Sequence, residues 1–267
     1  MAIARFLENR KSVRDFRDKK ANKSTIEQIK NAIEQISAEV GRDDIFFDFF
    51  EDGKSVYDKL ENLGGYNMVM IKSPHYIGLE VLCDKPETIL YGSYYMEKLI
   101  TKINEIGLST CWITVVHVDD SLMNQHGGKV DYLLALGYPK RKIPFFSDSE
   151  DVERRSISEI VFKGEVEEPI SSEELESLGL RDIFHYLKYA PSSYNTQPWR
   201  FLINNNKVTL LYSHTGEEDI RYADVGVIMY YFEELAKSKG IGSGWEIVEG
   251  EIQGEKANYK KIAVFSI

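Results

Sequence analysis

Cysteine is scarce in this chain: two residues in 267, Cys83 and Cys111. Two thiols exclude a disulfide framework and a cysteine-rich zinc site. Both lie in apolar runs, where buried thiols are expected. Long hydrophobic runs are also missing, and none approaches the roughly 18 apolar residues of a membrane span. Met1 to Lys11 carries Arg5, Glu8, Arg10 and Lys11 with no apolar stretch behind them, so the expectation is a soluble, cytoplasmic protein with no membrane partner. Positive charge is in deficit. A net charge of −10 argues against nucleic acid as a partner, because a phosphate backbone selects basic faces.

Several familiar chemistries are missing too. No Gly-x-Gly-x-x-Gly follows a strand pattern; Gly240-Ile241-Gly242-Ser243-Gly244 follows a helix and leads into a strand, the wrong context for a dinucleotide fold. There is no P-loop, zinc-protease helix or Gly-x-Ser-x-Gly elbow. The histidines at 75, 117, 126, 185 and 214 are scattered, and none sits at ligand spacing from a cysteine or carboxylate. They are expected in the core or on the surface, and no metal site is expected.

What is present is a composition that can bury a core, 43% hydrophobic and 12% aromatic, in one large domain or two small ones. Helix and strand signals alternate. Thr25 to Ile36 has apolar residues at 26, 29, 32, 33 and 36, a helical period, with Ser24 as the expected N-cap. Ile45 to Phe50 and His75 to Cys83 read as strands, Tyr91 to Ile106 as a long helix ended by Gly107, and Cys111 to Val118 as a β-branched strand. Tyr91, Tyr94 and Tyr95 share a helix face and are expected in the core. Residues 147–172 are acidic and irregular apart from the apolar Ile157–Phe162, and read as a linker.

After that linker the pattern begins again. Leu180 to Tyr189 reads as a helix, Trp199 to Ile203 and Val208 to Tyr212 as a hairpin around Asn204-Asn205-Asn206, and Val225 to Lys237 as a long helix stopped by Gly240. Trp245 to Val248 starts a strand, after which this half is read as ending soon. Met96/Met229, Gly107/Gly240 and Trp112/Trp245 are each 133 positions apart. The first helices match in period at an offset of 154, Ile26, Ile29 and Ile33 against Leu180, Ile183 and Leu187. The expectation is an internal duplication with unequal insertions, domains 1–165 and 166–267.

Two segments carry binding chemistry. Asn9-Arg10-Lys11-Ser12-Val13-Arg14-Asp15-Phe16 concentrates cations in an acidic chain. If extended, it sends Arg10, Ser12 and Arg14 to one side and Lys11 to the other, a set suited to a phosphate monoester; the bland reading is a solvated charged run. Ala190-Pro191-Ser192-Ser193-Tyr194-Asn195-Thr196-Gln197-Pro198-Trp199-Arg200 is a proline-bracketed polar loop. Proline stops the preceding helix near Ala190. Hydroxyls and carboxamides suit a flat heterocycle with alternating donors and acceptors; the bland reading is a helix-to-strand turn.

Ala-Pro-Ser-Ser-x-Asn-x-Gln-Pro-Trp-Arg resembles the signature loop of the nitroreductase family, flavin enzymes that hold FMN and take hydride from a reduced nicotinamide. In that family the loop normally follows the first helix; here it lies far downstream. Arg10-Lys11-Ser12-Val13-Arg14-Asp15-Phe16 is similar to the family's phosphate-binding start, and Arg154-Arg155 resembles its basic pair near the C-terminus, with Arg155 nearer the expected place. Gly107-Leu108-Ser109-Thr110-Cys111-Trp112-Ile113 resembles the family's Gly-Leu-Gly-Thr-Cys-Trp-Ile strand start, with Ser109 in place of a glycine. Ala135-Leu136-Gly137-Tyr138-Pro139 is similar to its Leu-Gly-Tyr-Pro turn, and Tyr222-Ala223-Asp224-Val225-Gly226 resembles a helix start of the family in degenerate, non-binding form.

The resemblance implies an α+β fold, a mixed sheet wrapped by helices, built as two nitroreductase-like halves with an internal pseudo-two-fold. It implies an FMN phosphate held by Arg10, Ser12, Arg14 and Arg155, with Lys11 near the ribityl chain or pyrimidine edge. Pro191, Ser192, Ser193 and Asn195 would hold the ribityl chain and ring, and Thr110, Cys111, Trp112 and Ile113 would offer backbone donors to the ring's other edge. NAD(P)H is the implied co-substrate and a small molecule such as a nitroaromatic or quinone the acceptor. No side chain is assigned as catalytic, because the flavin carries the chemistry and water can supply protons. A protein that binds flavin without turnover is the second expectation, given Ser109 and the short second half. A fused pseudo-dimer is expected to be monomeric, with a homodimer left open.

Overall fold

The computed structural model describes residues 11–65, 69–115, 118–140, 153–216, 220–242 and 244–267. Arg10, the first of the expected phosphate ligands, lies outside the described residues. The described residues fall into two compact units, 11–140 and 153–267. Among the described residues no helix is long and apolar enough to cross a membrane.

The first unit begins with α1 (Lys23–Val40), which buries Ile26, Ile29, Ala32, Ile36 and Val40, the stripe its period predicts. Its N-cap is Asn22 rather than Ser24. Asn22 is extended, and its side-chain oxygen accepts the Thr25 N–H at 2.9 Å, which leaves Ser24 inside the first turn. There follow β1 (Ile45–Phe50), α2 (Gly53–Leu60), β2 (His75–Val81), α3 (Pro86–Glu105), β3 (Ser109–Thr114) and β4 (Lys129–Gly137). The sheet order is β1-β2-β4-β3, with every neighbour antiparallel. One face packs Ile77, Leu79 and Leu134 against Ile29, Ile36, Leu99 and Ile103 of α1 and α3. The other packs Tyr76, Ile113 and Leu133 against Val56 and Leu60 of α2. Because both faces are covered, β4 is almost continuously apolar towards its end and shows little alternation for a sequence reading to find. Tyr94 is buried, with Tyr91 and Tyr95 packed against the core as expected. Cys111 is buried, whereas Cys83 is only half-buried.

The second unit contains α4 (Ile157–Ile160), β5 (Val161–Lys163), α5 (Ser172–Ser177), α6 (Arg181–Leu187), β6 (Trp199–Asn204), β7 (Lys207–His214), α7 (Tyr222–Ser238), β8 (Trp245–Ile247), β9 (Glu251–Gln253) and β10 (Asn258–Ser266). The order is β5-β6-β7-β10-β8, with β9 also on β10. Two expectations are corrected here. Residues 153–172 are not a linker: a Ser156–Glu159 capping box starts α4, β5 pairs parallel to β6, and Phe162 packs on Leu211 and Tyr259. Nor does this half end soon after Trp245. Nine-residue β10 lies between β7 and β8, and a register shift between Lys261 and Ala263 breaks the alternation that marks a strand. The β6–β7 hairpin turns at Asn205 and Asn206, both at positive φ (47° and 56°), as a two-residue hairpin turn requires. Phe201 stacks near Phe232, which also meets Phe184, Trp245 and Phe265, and this aromatic group fills the core.

Each unit follows the same path. Helix, antiparallel strand pair, long helix and a second antiparallel strand pair recur as α1, β1, β2, α3, β3, β4 and as α6, β6, β7, α7, β8, β10, with α2 inserted between β1 and β2 and β9 between β8 and β10. The strand order matches as well, β1-β2-β4-β3 and β6-β7-β10-β8. Gly107 and Gly240, at φ of 92° and 70°, follow the two long helices. The indole N–H of Trp112 donates to Glu97 of α3 at 2.7 Å, and that of Trp245 to the Met229 carbonyl of α7 at 3.0 Å.

Candidate functional site

In the first unit the structure brings the basic segment onto the open edge of β3. Ser12 bridges Thr110 in parallel register, and the Val13 N–H donates to the Thr110 carbonyl at 2.9 Å. Lys11, Ser12 and Arg14 are all exposed, while Thr110 is fully buried. The neighbouring acid Asp15 is paired with Lys140 at 2.8 Å. The Thr110 hydroxyl has no hydrogen-bond partner among the described residues.

Strand geometry sorts the β3 residues. Peptides of one strand alternate between its two edges, and the Val13–Thr110 bond shows that Thr110 faces away from β4. Trp112 therefore faces the same outer edge, whereas Cys111 and Ile113 turn their peptides toward β4. The side chains of Cys111 and Ile113 are buried in the core on one face of the sheet, and Trp112 packs on the other. Of the four residues expected to offer backbone donors, Thr110 and Trp112 are those oriented to do so, and the Thr110 peptide already meets the basic segment.

In the second unit the loop between α6 and β6 is held by a dense set of local bonds. Tyr194, Asn195 and Gln197 have φ of 52°, 56° and 47°, three left-handed residues in four positions. The Ser192 hydroxyl accepts the Gln197 N–H at 3.0 Å. Ser193 donates its N–H and its hydroxyl to Asp224 Oδ1 at 2.8 and 3.0 Å. The Asn195 amide donates to the Glu153 carbonyl at 2.9 Å, and Gln197 Oε1 accepts the Arg155 N–H at 3.0 Å. Both carboxamides thus bind the 153–155 backbone. Pro191 and Ser192 are half-buried beside them.

The arginine pair separates cleanly. Arg154 points inward: its guanidinium donates to the Ala190 carbonyl at 2.7 Å, and burial lowers its pKa. Arg155 keeps 42% of its side chain exposed, and its ion-pair contact among the described residues is a long one to Glu159 (3.8 Å). Arg155 is therefore the one able to reach an anion in solvent. Nearby Arg200 is buried and donates to the Gln197 and Trp199 carbonyls, and burial pulls its pKa down to about 10.

The sequence reading missed Asp224. It is 4% exposed at the start of α7, and burial raises its pKa despite the two bonds from Ser193. Tyr-Ala-Asp-Val-Gly was the available signal, since an acid in an otherwise apolar helix start needs a local donor. It also missed the bracing by Glu153 and Gln197, for which only Gln197 carried a motif. A cleft of about 770 Å³ in this unit is lined by Ser156, Ser172, Arg181, His185 and Lys188 among others, and by none of the expected flavin residues. His75 is a satisfied core histidine: one ring nitrogen meets the Glu51 carbonyl at 2.8 Å, and the other accepts the Ala21 N–H at 3.0 Å.

Comparison with known proteins gives one family match, to the model described as "Putative TM nitroreductase", over residues 2–236. The crystal structure of a putative nitroreductase from Thermotoga maritima MSB8 is similar over 98% of this chain and 94% of its own, at 18% identity and a TM-score of 0.54. An FMN-dependent nitroreductase from Clostridium difficile R20291 matches 54% of this chain and 92% of its own, at 20% identity and a TM-score of 0.43. A Bacteroides fragilis nitroreductase with bound FMN matches 54% of this chain and 94% of its own, at 15% identity and a TM-score of 0.44. No curated protein matches.

Proposed function

The chain belongs to the TM nitroreductase family and has the nitroreductase-like α+β fold, and from that premise we propose that it is an FMN-dependent oxidoreductase using NAD(P)H. The observation that carries this reading is the bridge of Ser12 to Thr110, which joins an exposed set of cations and a hydroxyl to the strand whose sequence resembles the family's ring-binding segment. That donor set fits a phosphate monoester: arginine and lysine neutralise it, and serine donates to it. Arg155, exposed beside the Pro-Ser-Ser loop, has the same chemistry. FMN, when bound, would supply two-electron chemistry, taking hydride from a reduced nicotinamide and passing both electrons to a nitroaromatic, quinone or similar acceptor.

The residues of this chain then have distinct tasks. Lys11, Ser12, Arg14 and Arg155, together with Arg10, bind the phosphate. The outward peptide of Trp112 donates toward the ring edge. Pro191 and Ser192 face the ribityl chain, and Ser193 and Asn195 keep the loop in shape through Asp224 and Glu153. The shared helix–strand-pair–helix–strand-pair path and strand order support an origin by duplication.

Mixing the purified, FMN-loaded protein with NADH or NADPH under anaerobic conditions tests the reading. Bleaching of the flavin absorbance with either nicotinamide is the expected result. Bound flavin that neither nicotinamide reduces would replace an oxidoreductase with a flavin-binding protein.

A further inference from the structure

Asp48 interrupts an otherwise aromatic and aliphatic strand, β1, yet it is only 7% exposed. It lies on the same sheet face as Glu80 of β2, because Glu80 registers opposite Phe46 and Asp48 is two residues further on. Glu80 is fully buried, and its carboxylate accepts N–H bonds from Gln125, His126 and Gly128 at 2.6–3.1 Å. A Cβ on residue 128 would sit 2.4 Å from the Val81 carbonyl, so only glycine lets that peptide come so close. Three peptide donors compensate the Glu80 charge and leave none for Asp48. His126 completes the group: its ring stacks on Phe46 at 3.8 Å, and Nε2 lies 3.2 Å from Asp48 Oδ1.

The second oxygen, Asp48 Oδ2, is buried with no hydrogen-bond partner among the described residues. An acceptor with no donor at such depth is costly, and a facing carboxylate worsens the cost. A cation between them relieves both. One potential ligand atom from each of Asp48, Glu80 and His126 lies within 4.8 Å of the others. Ligands about 2.0–2.2 Å from a tetrahedral zinc stand about 3.3 Å apart, so the Asp48–His126 separation already matches one edge. The His126 side chain, 41% exposed, can close the remainder and leaves one side of the group open to water.

We propose that Asp48, Glu80 and His126 form a divalent-cation site of the zinc class, with a solvent water as a further ligand, that ties β1 and β2 to the 124–128 loop. Two carboxylates and one imidazole suit a borderline ion such as zinc better than the all-oxygen sets of calcium or magnesium. The site belongs to the β1 edge of the first sheet, whereas Thr110 is on β3 at the opposite edge, so it does not rest on the flavin reading. The separation of its members at 48, 80 and 126 explains why no ligand spacing shows in the sequence.

The test uses the full chain, stripped with a chelator, re-equilibrated with zinc sulfate and desalted, with zinc content read by mass spectrometry and thermal midpoints taken with and without the ion. About one zinc per chain and a raised midpoint are expected for the wild type. Asp48→Asn keeps the shape and can donate to Glu80, and His126→Gln changes an exposed side chain, so both variants should fold. Each should bind zinc at least tenfold more weakly and lose the thermal gain. A wild type that retains no zinc, as when Asp48 and Glu80 simply share a proton, overturns the proposal. Equal zinc retention by the wild type and both variants overturns it too.

Discussion

The side-chain amide of Asn195 donates to the backbone carbonyl of Glu153 at 2.9 Å, across 42 positions of sequence. This bond turns a residue expected to face a heterocycle into a brace for the loop that carries it. With Gln197 bound to the Arg155 N–H at 3.0 Å, it ties the 153–155 backbone to this loop.

Asn195→Ala should therefore act on stability and affinity together. It removes a hydrogen bond, worth about 1 kcal/mol net, and puts alanine at a φ of 56°, which costs about a further 1 kcal/mol. The urea midpoint should fall accordingly and FMN affinity should drop about tenfold, since about 1.4 kcal/mol is a factor of ten. Unchanged affinity in a destabilised protein would separate the loop from flavin binding.

Arg14→Ala should weaken FMN by about tenfold, the loss of one charge-assisted contact of roughly 1.5 kcal/mol, and leave the thermal midpoint of the apoprotein nearly unmoved because the side chain is exposed. Riboflavin, which lacks the phosphate, should bind both proteins alike. If riboflavin also loses affinity, Arg14 acts on something other than the phosphate.

Arg42 holds Asp44 through two bonds of 2.8 Å, and Thr88 and Cys83 donate to the same carboxylate at 3.2 and 3.1 Å. The guanidinium keeps the Asp44 pKa far below the usual carboxylate range. A depressed folded pKa contributes stability above the unfolded value, near 4, and loses it as pH falls through the folded one. Arg42→Ala should cost about 1–2 kcal/mol at pH 7, with the gap from wild type shrinking below pH 4. A gap that is constant with pH would mean that the cost is packing alone.

Asp224 shifts the other way, because burial raises its pKa. The folded state then holds the proton more tightly than the unfolded chain, so this group's contribution is full below about pH 4 and erodes as pH rises through the folded value. Asp224→Asn keeps an acceptor for Ser193 and removes the titration. Relative to wild type, the variant should gain stability in denaturant midpoints as pH rises above about 4. A difference that does not change with pH would contradict an Asp224 that is harder to ionise in the folded state.

The parts legible in the sequence were those governed by local rules. The α1 stripe, the β1 and β6 boundaries and the asparagine turn follow from period and turn chemistry. The family resemblance rests on short motifs of the same local kind. What stayed hidden depended on partners far along the chain. β10 hides behind Lys260 and Lys261 and a register shift, although it is central in its sheet. The linker reading of 153–172 failed because β5 is only three residues long and gains its stability by pairing with β6. Asn195 and Asp224 were visible as residue types, but their bonds to Glu153 and Ser193 exist only in the folded chain. Asp48 was the missed hint, an acid inside a strand of phenylalanines.

The count of flavins per chain tests the central claim most directly. Titrating the apoprotein with FMN and following quenching of flavin fluorescence should give one site per chain, because the basic segment Arg10–Phe16 proposed to bind the phosphate occurs once in the sequence. Absence of binding, or two equivalent sites per chain, would contradict it.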